Sequence, residues 1–347
     1  MLDVWRIVGS IPNDNEGGFV LIDDIRQASD IFASRLRSGL KPQLIRRVTG
    51  TALALTLAGT NPTIGVVAIE ASPTTQNAAG TSAGGQTRPL PEGTPRSWAV
   101  DAVANELLVL NHPGSYLRYR MHVHDEKGDQ IRDVIESKDG TVARLIMKNG
   151  KPLTEAEDKA ERDRLNAMIA SPSTFLRHVK NEETGRKTAD ELMRLMPDAM
   201  TYTYVPDQPQ LASFPELTIV MDYEPNPKFK PPTTLSQGLT GLKGRVWIDA
   251  KSRRVVRIEG TIFQSVNIGW GMLAHIYPGG KLVLEQTNAA ADRWIYTHFT
   301  ERVTVRALMV KTLNVNNDYD ASGFQLITEP MSFQDAIKLL QNTPLPR

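Results

Sequence analysis

The chain contains no cysteine. That excludes disulfides, thiol catalysis and a lipidated N-terminal cysteine, so the fold must hold on core packing alone. An excess of either charge is missing as well: 40 Lys and Arg face 39 Asp and Glu, for a formal net charge of +1. Nucleic-acid binding needs a clustered basic face, so no nucleic-acid partner is expected. No apolar run reaches the ~20 residues of a comfortable membrane span. G-x-S-x-G does not occur, and the spaced glycines Gly238, Gly241 and Gly244 precede a strand pattern rather than a helix, so they cannot cradle phosphate. No methionine lies between Met1 and Met121, which raises a misassigned start as one expectation.

What the N-terminal part does contain is an export pattern. Arg46-Arg47 precedes an apolar stretch over 48–58, then a break at Pro62 and the small-residue site Val66-Val67-Ala68, with Ala71 as an alternative. A basic region, a short apolar region and a small-x-small site define a secretory signal over 46–71. Residues 1–45 read as an N-terminal extension with one amphipathic helix over 22–37. Residues 72–96 are rich in Ser, Thr, Gly and Pro without an apolar period, which is the composition of a disordered linker. The expected address is the periplasm or cell envelope, with a membrane anchor if the signal stays uncleaved. The folded part is expected over 97–330, with a C-terminal helix and tail over 331–347.

Within it, Val100, Val103, Leu107 and Leu110 recur at helical spacing and predict a helix over 98–110. Residues 116–124 alternate, with Leu117, Tyr119, Met121 and Val123 on one side and Arg118, Arg120, His122 and His124 on the other, as in a strand with one buried face. Strands over 131–137 and 141–148 follow, separated by turn residues and closed by Asn149-Gly150. Two capping boxes, Thr154 to Glu157 and Thr188 to Glu191, predict two helices in an insert over 154–196. Strands are then expected over 201–205, 217–223, 244–249, 253–264, 272–277, 281–288, 294–299 and 302–315, and a helix over 332–340. This order implies an α+β fold.

Candidate chemistry is sparse. His122 and His124 sit two apart on a strand, so both imidazoles share a face beside Asp125 and Glu126. No third ligand stands nearby, so no metal is expected, and a metal-dependent hydrolase using His122 and His124 stays an alternative. Glu155, Glu157, Asp158 and Glu161 occupy the first turns of a helix, where they complement its dipole as a solvated face. No nucleophile and base at workable spacing are visible, so neither a catalytic residue nor a cofactor is expected.

The stretch from Gly241 through Gly244-Arg245-Val246-Trp247-Ile248-Asp249 to Val256-Arg257-Ile258-Glu259-Gly260 carries a resemblance. It resembles the Gly-x-Val-Trp-Ile-Asp and Val-x-Arg-Ile-Glu stretch of periplasmic proteins with the outer-membrane lipoprotein-sorting fold. That group includes a lipoprotein carrier, a lipoprotein receptor and a sigma-factor regulator (LolA, LolB and RseB). The likeness spans 116–327, and 241–260 is its most specific part. It implies an unclosed antiparallel β-barrel, a half-barrel wrapped around helices, with an apolar cavity for acyl chains. No functional residue is carried over from the family.

On that expectation the ligand-binding residues are Leu117, Tyr119, Met121, Leu145, Met147, Ile219, Met221, Tyr223, Val256, Ile258, Ile262, Val303, Val305 and Met309, the apolar sets that alternate on the strands. The expected ligand is a lipid or lipoprotein acyl chain, bound by a monomer without catalysis. The alternative is an envelope interaction or signalling module that binds a protein partner through its sheet edge or helical insert. Fusing residues 1–95 to a reporter active only in the periplasm is expected to give activity; an inactive fusion would refute export.

Overall fold

Alternating polarity puts most of the chain into a single antiparallel sheet. The computed structural model describes residues 91–111, 115–125, 128–290 and 293–346. The expected extension, the signal and most of the linker lie outside the described residues. The strands are β1 Tyr116–Asp125, β2 Gly128–Ser137, β3 Gly140–Lys148, β4 Lys151–Pro152, β5 Met200–Tyr204, β6 Thr218–Pro225, β7 Leu242–Asp249, β8 Val255–Ile262, β9 Val266–Ile268, β10 Ala274–Ile276, β11 Lys281–Ala290, β12 Arg293–Ala307 and β13 Lys311–Ile327. Their order is β4-β3-β2-β1-β13-β12-β11-β8-β7-β6-β5, with the short β9–β10 pair attached to β12. β4 and β5 stand at opposite ends of this order, so the sheet is an unclosed half-barrel and the fold is α+β, as expected.

Among the described residues four α-helices accompany the sheet: α1 Pro95–Asn111, α2 Glu155–Ala170, α3 Pro172–Ala199 and α4 Phe333–Asn342. Thr94 starts α1 by accepting the Ser97 N–H, while Pro95 occupies the first turn. The Thr154–Glu157 capping box opens α2 as expected. The second expected helix start, at Thr188, is a correction. Pro172 begins a single 28-residue helix, ~42 Å long, and Thr188 lies buried in its middle. The capping-box spelling was overridden because this stretch of helix packs onto its neighbours, where Ala189 meets Leu110. A second correction concerns the strand expected over 302–315. It is two strands, β12 and β13, joined by a tight turn at 308–310.

Register defines two faces. Along the inner face run Ile258, Leu284, Phe299, Tyr319 and Val123, opposite one another from β8 to β1. α1 and the C-terminal half of α3 cover this face beside β5–β8, where Trp98 and Ala102 meet Ile219, Met221, Val246 and Ile248. The outer face of β2–β3 is covered instead by α2, α4 and the start of α3, through Leu165, Met168, Phe175, Phe333, Ile337 and Leu340 packed on Ile135 and Val142. Val205, Leu211 and Phe214 of the following loop cover the outer side of β6 and β7 at Val220 and Trp247. Two glutamines of that loop act as strand substitutes. The Gln208 amide bonds both the N–H and C=O of Val220, and Gln210 does the same at Thr218.

Arg144 ties the outer layer together. Its side chain is fully buried in β3 and donates to the carbonyls of Leu340 (2.5 Å) and Thr343 (2.7 Å) at the end of α4 and to the Asp158 carboxylate (2.7 Å) of α2. A cation there also complements the negative end of the α4 dipole. The acidic start of α2 is therefore only in part the solvated face that the sequence suggests: Glu155 and Glu157 stay at the surface, and Asp158 and Glu161 do not. Asp158 is paired with Arg144 and Arg162, and buried Glu161 accepts the Leu145 N–H at 2.8 Å. Burial pushes the Asp158 carboxyl up, but hydrogen bonds from Arg162 and Arg144 outweigh it and hold the group below the usual carboxylate range.

Arg144→Met is expected to destabilise the fold by about 3–5 kcal/mol, the usual cost of breaking a buried ion pair from one side. Denaturant unfolding at neutral pH measures it. A carboxyl with a lowered folded-state pKa stabilises above its unfolded value of about 3.9 and loses that effect as pH falls through the lower folded value. The gap between wild type and Arg144→Met should therefore be constant from pH 5 to 8 and shrink below about pH 4.

Candidate apolar ligand site

A cavity of about 100 Å³ lies between α1, the C-terminal half of α3 and the inner face of the sheet. α1 contributes Ala99, Ala102, Val103 and Glu106, one stripe at helical spacing, and α3 contributes Leu192, Met193 and Met196. The floor is Tyr202 of β5, Met221 and Tyr223 of β6, Val246 and Ile248 of β7, Val255 and Ile258 of β8, Leu284 of β11 and Tyr296 of β12, with Leu239 closing one side. Small alanines on α1 leave the space, and three methionines around it can change shape without loss of apolar contact.

Its one charged wall residue is buried Glu106. The carboxylate accepts the Val255 N–H at 3.1 Å and the Gln286 side-chain amide at 2.8 Å, with the Tyr296 hydroxyl at 3.5 Å. These bonds fix α1 to β8, β11 and β12. Outside the cavity, Asn105 donates to the carbonyls of Ser252 and Arg253, and the Arg253 guanidinium stacks on the Trp98 ring at 3.5 Å. α1 is thus held at its flanks by polar ties to the β7–β8 turn, and over the cavity by apolar contact and the buried Glu106 bonds.

The Gly-x-Val-Trp-Ile-Asp stretch explains itself in this setting. Gly244 lies where a Cβ would stand 1.8 Å from the Glu259 carbonyl oxygen, so only glycine fits. Through the same gap the Tyr223 hydroxyl donates to that carbonyl at 2.8 Å. Burial pushes the Tyr223 and Tyr202 phenols well above their ordinary range, so both stay neutral donors. Val246 and Ile248 face the cavity, and Trp247 turns outward to donate to the Pro209 carbonyl. Asp249 caps the turn that follows through the N–H groups of Lys251 and Ser252.

Of the residues expected to bind ligand, Met221, Tyr223 and Ile258 line the cavity. Ile219 and Ile262 are packed into adjoining clusters beneath α1 and α3. Leu117, Tyr119 and Met121 are buried in a filled core with Phe299 and Tyr319. Val256 sits in the outer-face cluster with Trp247, at an irregularity in the β7–β8 pairing. Leu145, Met147 and Val303 are only partly buried, and Val305 packs on the β9–β10 cluster. Met309 lies exposed in the β12–β13 turn. The α1 stripe was missed because its alanines carry little apolar weight and it ends in a glutamate; the spacing 99, 102, 103, 106 is the signal that could have found it.

His122 and His124 both face Asp129 across the β1–β2 hairpin, the latter at 4.0 Å. Among the described residues no group of three His, Asp or Glu side chains is arranged to hold a metal ion. Nor is any described helix long and apolar enough to cross a membrane.

No family pattern and no curated protein matches the sequence. Among solved structures, the chain is similar to one from Vibrio parahaemolyticus that bears the provisional name outer membrane lipoprotein-sorting protein domain. The two are 10% identical over 70% of this chain and 98% of the other, with a TM-score of 0.27. At that score the likeness carries no argument about function.

Proposed function

We propose that this protein is a non-catalytic, extracytoplasmic binder of an apolar ligand, most simply the acyl chain of a lipid or lipoprotein, taken up between α1 and the half-barrel. The observation that carries the reading is the apolar cavity with its wall of Met193, Met196 and Met221. Its volume is below the ~150 Å³ of a cavity known to admit benzene. An acyl chain therefore requires the space to widen, by methionine rearrangement and by displacement of α1. Water can replace the surface ties of Asn105 and Arg253 at little cost, whereas the buried Glu106 bonds resist displacement. The movement of α1 is therefore a pivot about Glu106 that frees its flank. The export pattern at 46–71 supports an envelope address.

Binding of a fluorescent fatty acid to the purified chain tests this, together with native mass spectrometry of protein taken from a bacterial envelope. Saturable binding and co-purified lipid are expected. Ala102→Phe, which fills the cavity from α1, is expected to abolish binding at a stability cost of about 1–3 kcal/mol, the usual effect of added core volume. An apo mass together with no fatty-acid binding would overturn the reading in favour of a protein-interaction module.

A further inference from the structure

Two turns at one end of the sheet are apolar where the fold gives no reason for it. In the β12–β13 hairpin, Leu308, Met309 and Val310 are 42%, 59% and 85% exposed. In the turn between β9 and β10, Trp270 is 77% and Met272 37% exposed. The turns touch: the Leu308 N–H donates to the Leu273 carbonyl at 2.9 Å, and Ala274 pairs with Ala307. Together they form one projecting tip.

The backbone adds a second observation. Leu308 and Met309 hold φ values of 49° and 61°, and Trp270 holds 57° between two glycines of positive φ. Hairpin turns of this kind ordinarily use Asn-Gly or Asp-Gly, whose side chains tolerate that conformation and face water well. Here large apolar residues occupy strained and solvated positions together. Such outliers point to function rather than folding.

Charge supplies the third. Residues 260–284 and 302–317, which build this end, contain no Asp or Glu but carry Lys281, Arg306 and Lys311, with Arg302 at the border paired to Asp318. The neighbouring 3₁₀ turn Leu235–Gly241, whose Gln237 accepts the Gly269 N–H, lies in a stretch over 225–248 that is also free of acid. In a chain with almost equal numbers of both charges, one end has been cleared of carboxylates around an exposed tryptophan and aliphatic side chains.

We propose that this tip is a docking surface for an anionic lipid bilayer. Val310, Met309 and Leu308 would enter the acyl boundary, Trp270 would lie at the headgroup level, and Arg306 and Lys311 would meet lipid phosphates. The inference does not depend on what the cavity binds. A protein partner would need a concave apolar pocket matched to both turns. Consecutive exposed aliphatic side chains on a tip, with a tryptophan beside them and bases around them, suit the bilayer, which needs no such pocket.

The absence of cysteine allows a clean test on the full chain. Val310→Cys is labelled with an environment-sensitive fluorophore, and Lys138→Cys, in the β2–β3 turn at the far end of the strands, serves as the control. With vesicles of phosphatidylcholine and phosphatidylglycerol, the label at 310 is expected to shift to the blue and to be quenched by doxyl groups on the acyl chains, while the label at 138 is not. Lys311→Gln, at an exposed position, is expected to weaken the response about fivefold, the effect of one surface charge. Trp270→Ser should weaken it further. Membrane-bound protein with an unquenched label at 310 would show attachment elsewhere and overturn the proposal. So would an equal response to pure phosphatidylcholine, or a blue shift that appears with protein concentration and no vesicles, which would reveal contact between copies.

Discussion

A single sheet eleven strands wide in its main order has two faces. The inner one is apolar and must be hidden from water; the outer one must be hidden where it is apolar, at β2–β3 and β6–β7, while along β1 it is polar and wet. Among the described residues four α-helices are available. They are divided between the faces: α1 and the end of α3 lie on the inner face beside β5–β8, and α2, α4 and the beginning of α3 lie on the outer face beside β2 and β3. The length of α3 follows from this division, because one helix must serve both places. So does the position of α4, which closes the outer layer after the last strand, with Arg144 drawing its C-terminal carbonyls onto β3.

The cavity is a by-product of the same division. Where the sheet curves, inner-face side chains meet one another and fill their own core, as around Tyr119 and Phe299. Beside β5–β8 the sheet faces α1, whose contact residues Ala99 and Ala102 are too short to fill the interval. A small residue on a covering helix sets a gap as surely as a missing side chain in the sheet does. The Glu106 bonds keep that helix in register, so the gap has a defined shape.

Much of the fold was legible in the sequence, because polarity alternation and the Thr154 box are local signals that tertiary packing reinforced. The strands around Leu117, Ile219 and Val246 and the helix at 332–340 follow from them directly. The failures have a common cause in long-range packing. Thr188 spells a helix start but is buried inside α3. The β12–β13 hairpin has no Gly or Asn at its turn, so Leu308 and Met309 read as a continuing strand. Within the site, the residues on β6 and β8 were legible from alternation. The α1 wall was not, because pattern reading weighs large apolar residues and here small ones make the space.

The ends of the sheet hold a further consequence. β4 is two residues long, Lys151 and Pro152, and proline has no N–H to offer a new strand. Beyond Tyr204, the free edge of β6 is already bonded by the Gln208 and Gln210 amides. Open ladder remains elsewhere: at the five residues of β5, and along Lys311–Asn317 of β13, which pair with β12 alone. Strand addition is thus blocked at β4 and along the bonded part of β6, while the two open segments keep unpaired backbone groups to offer.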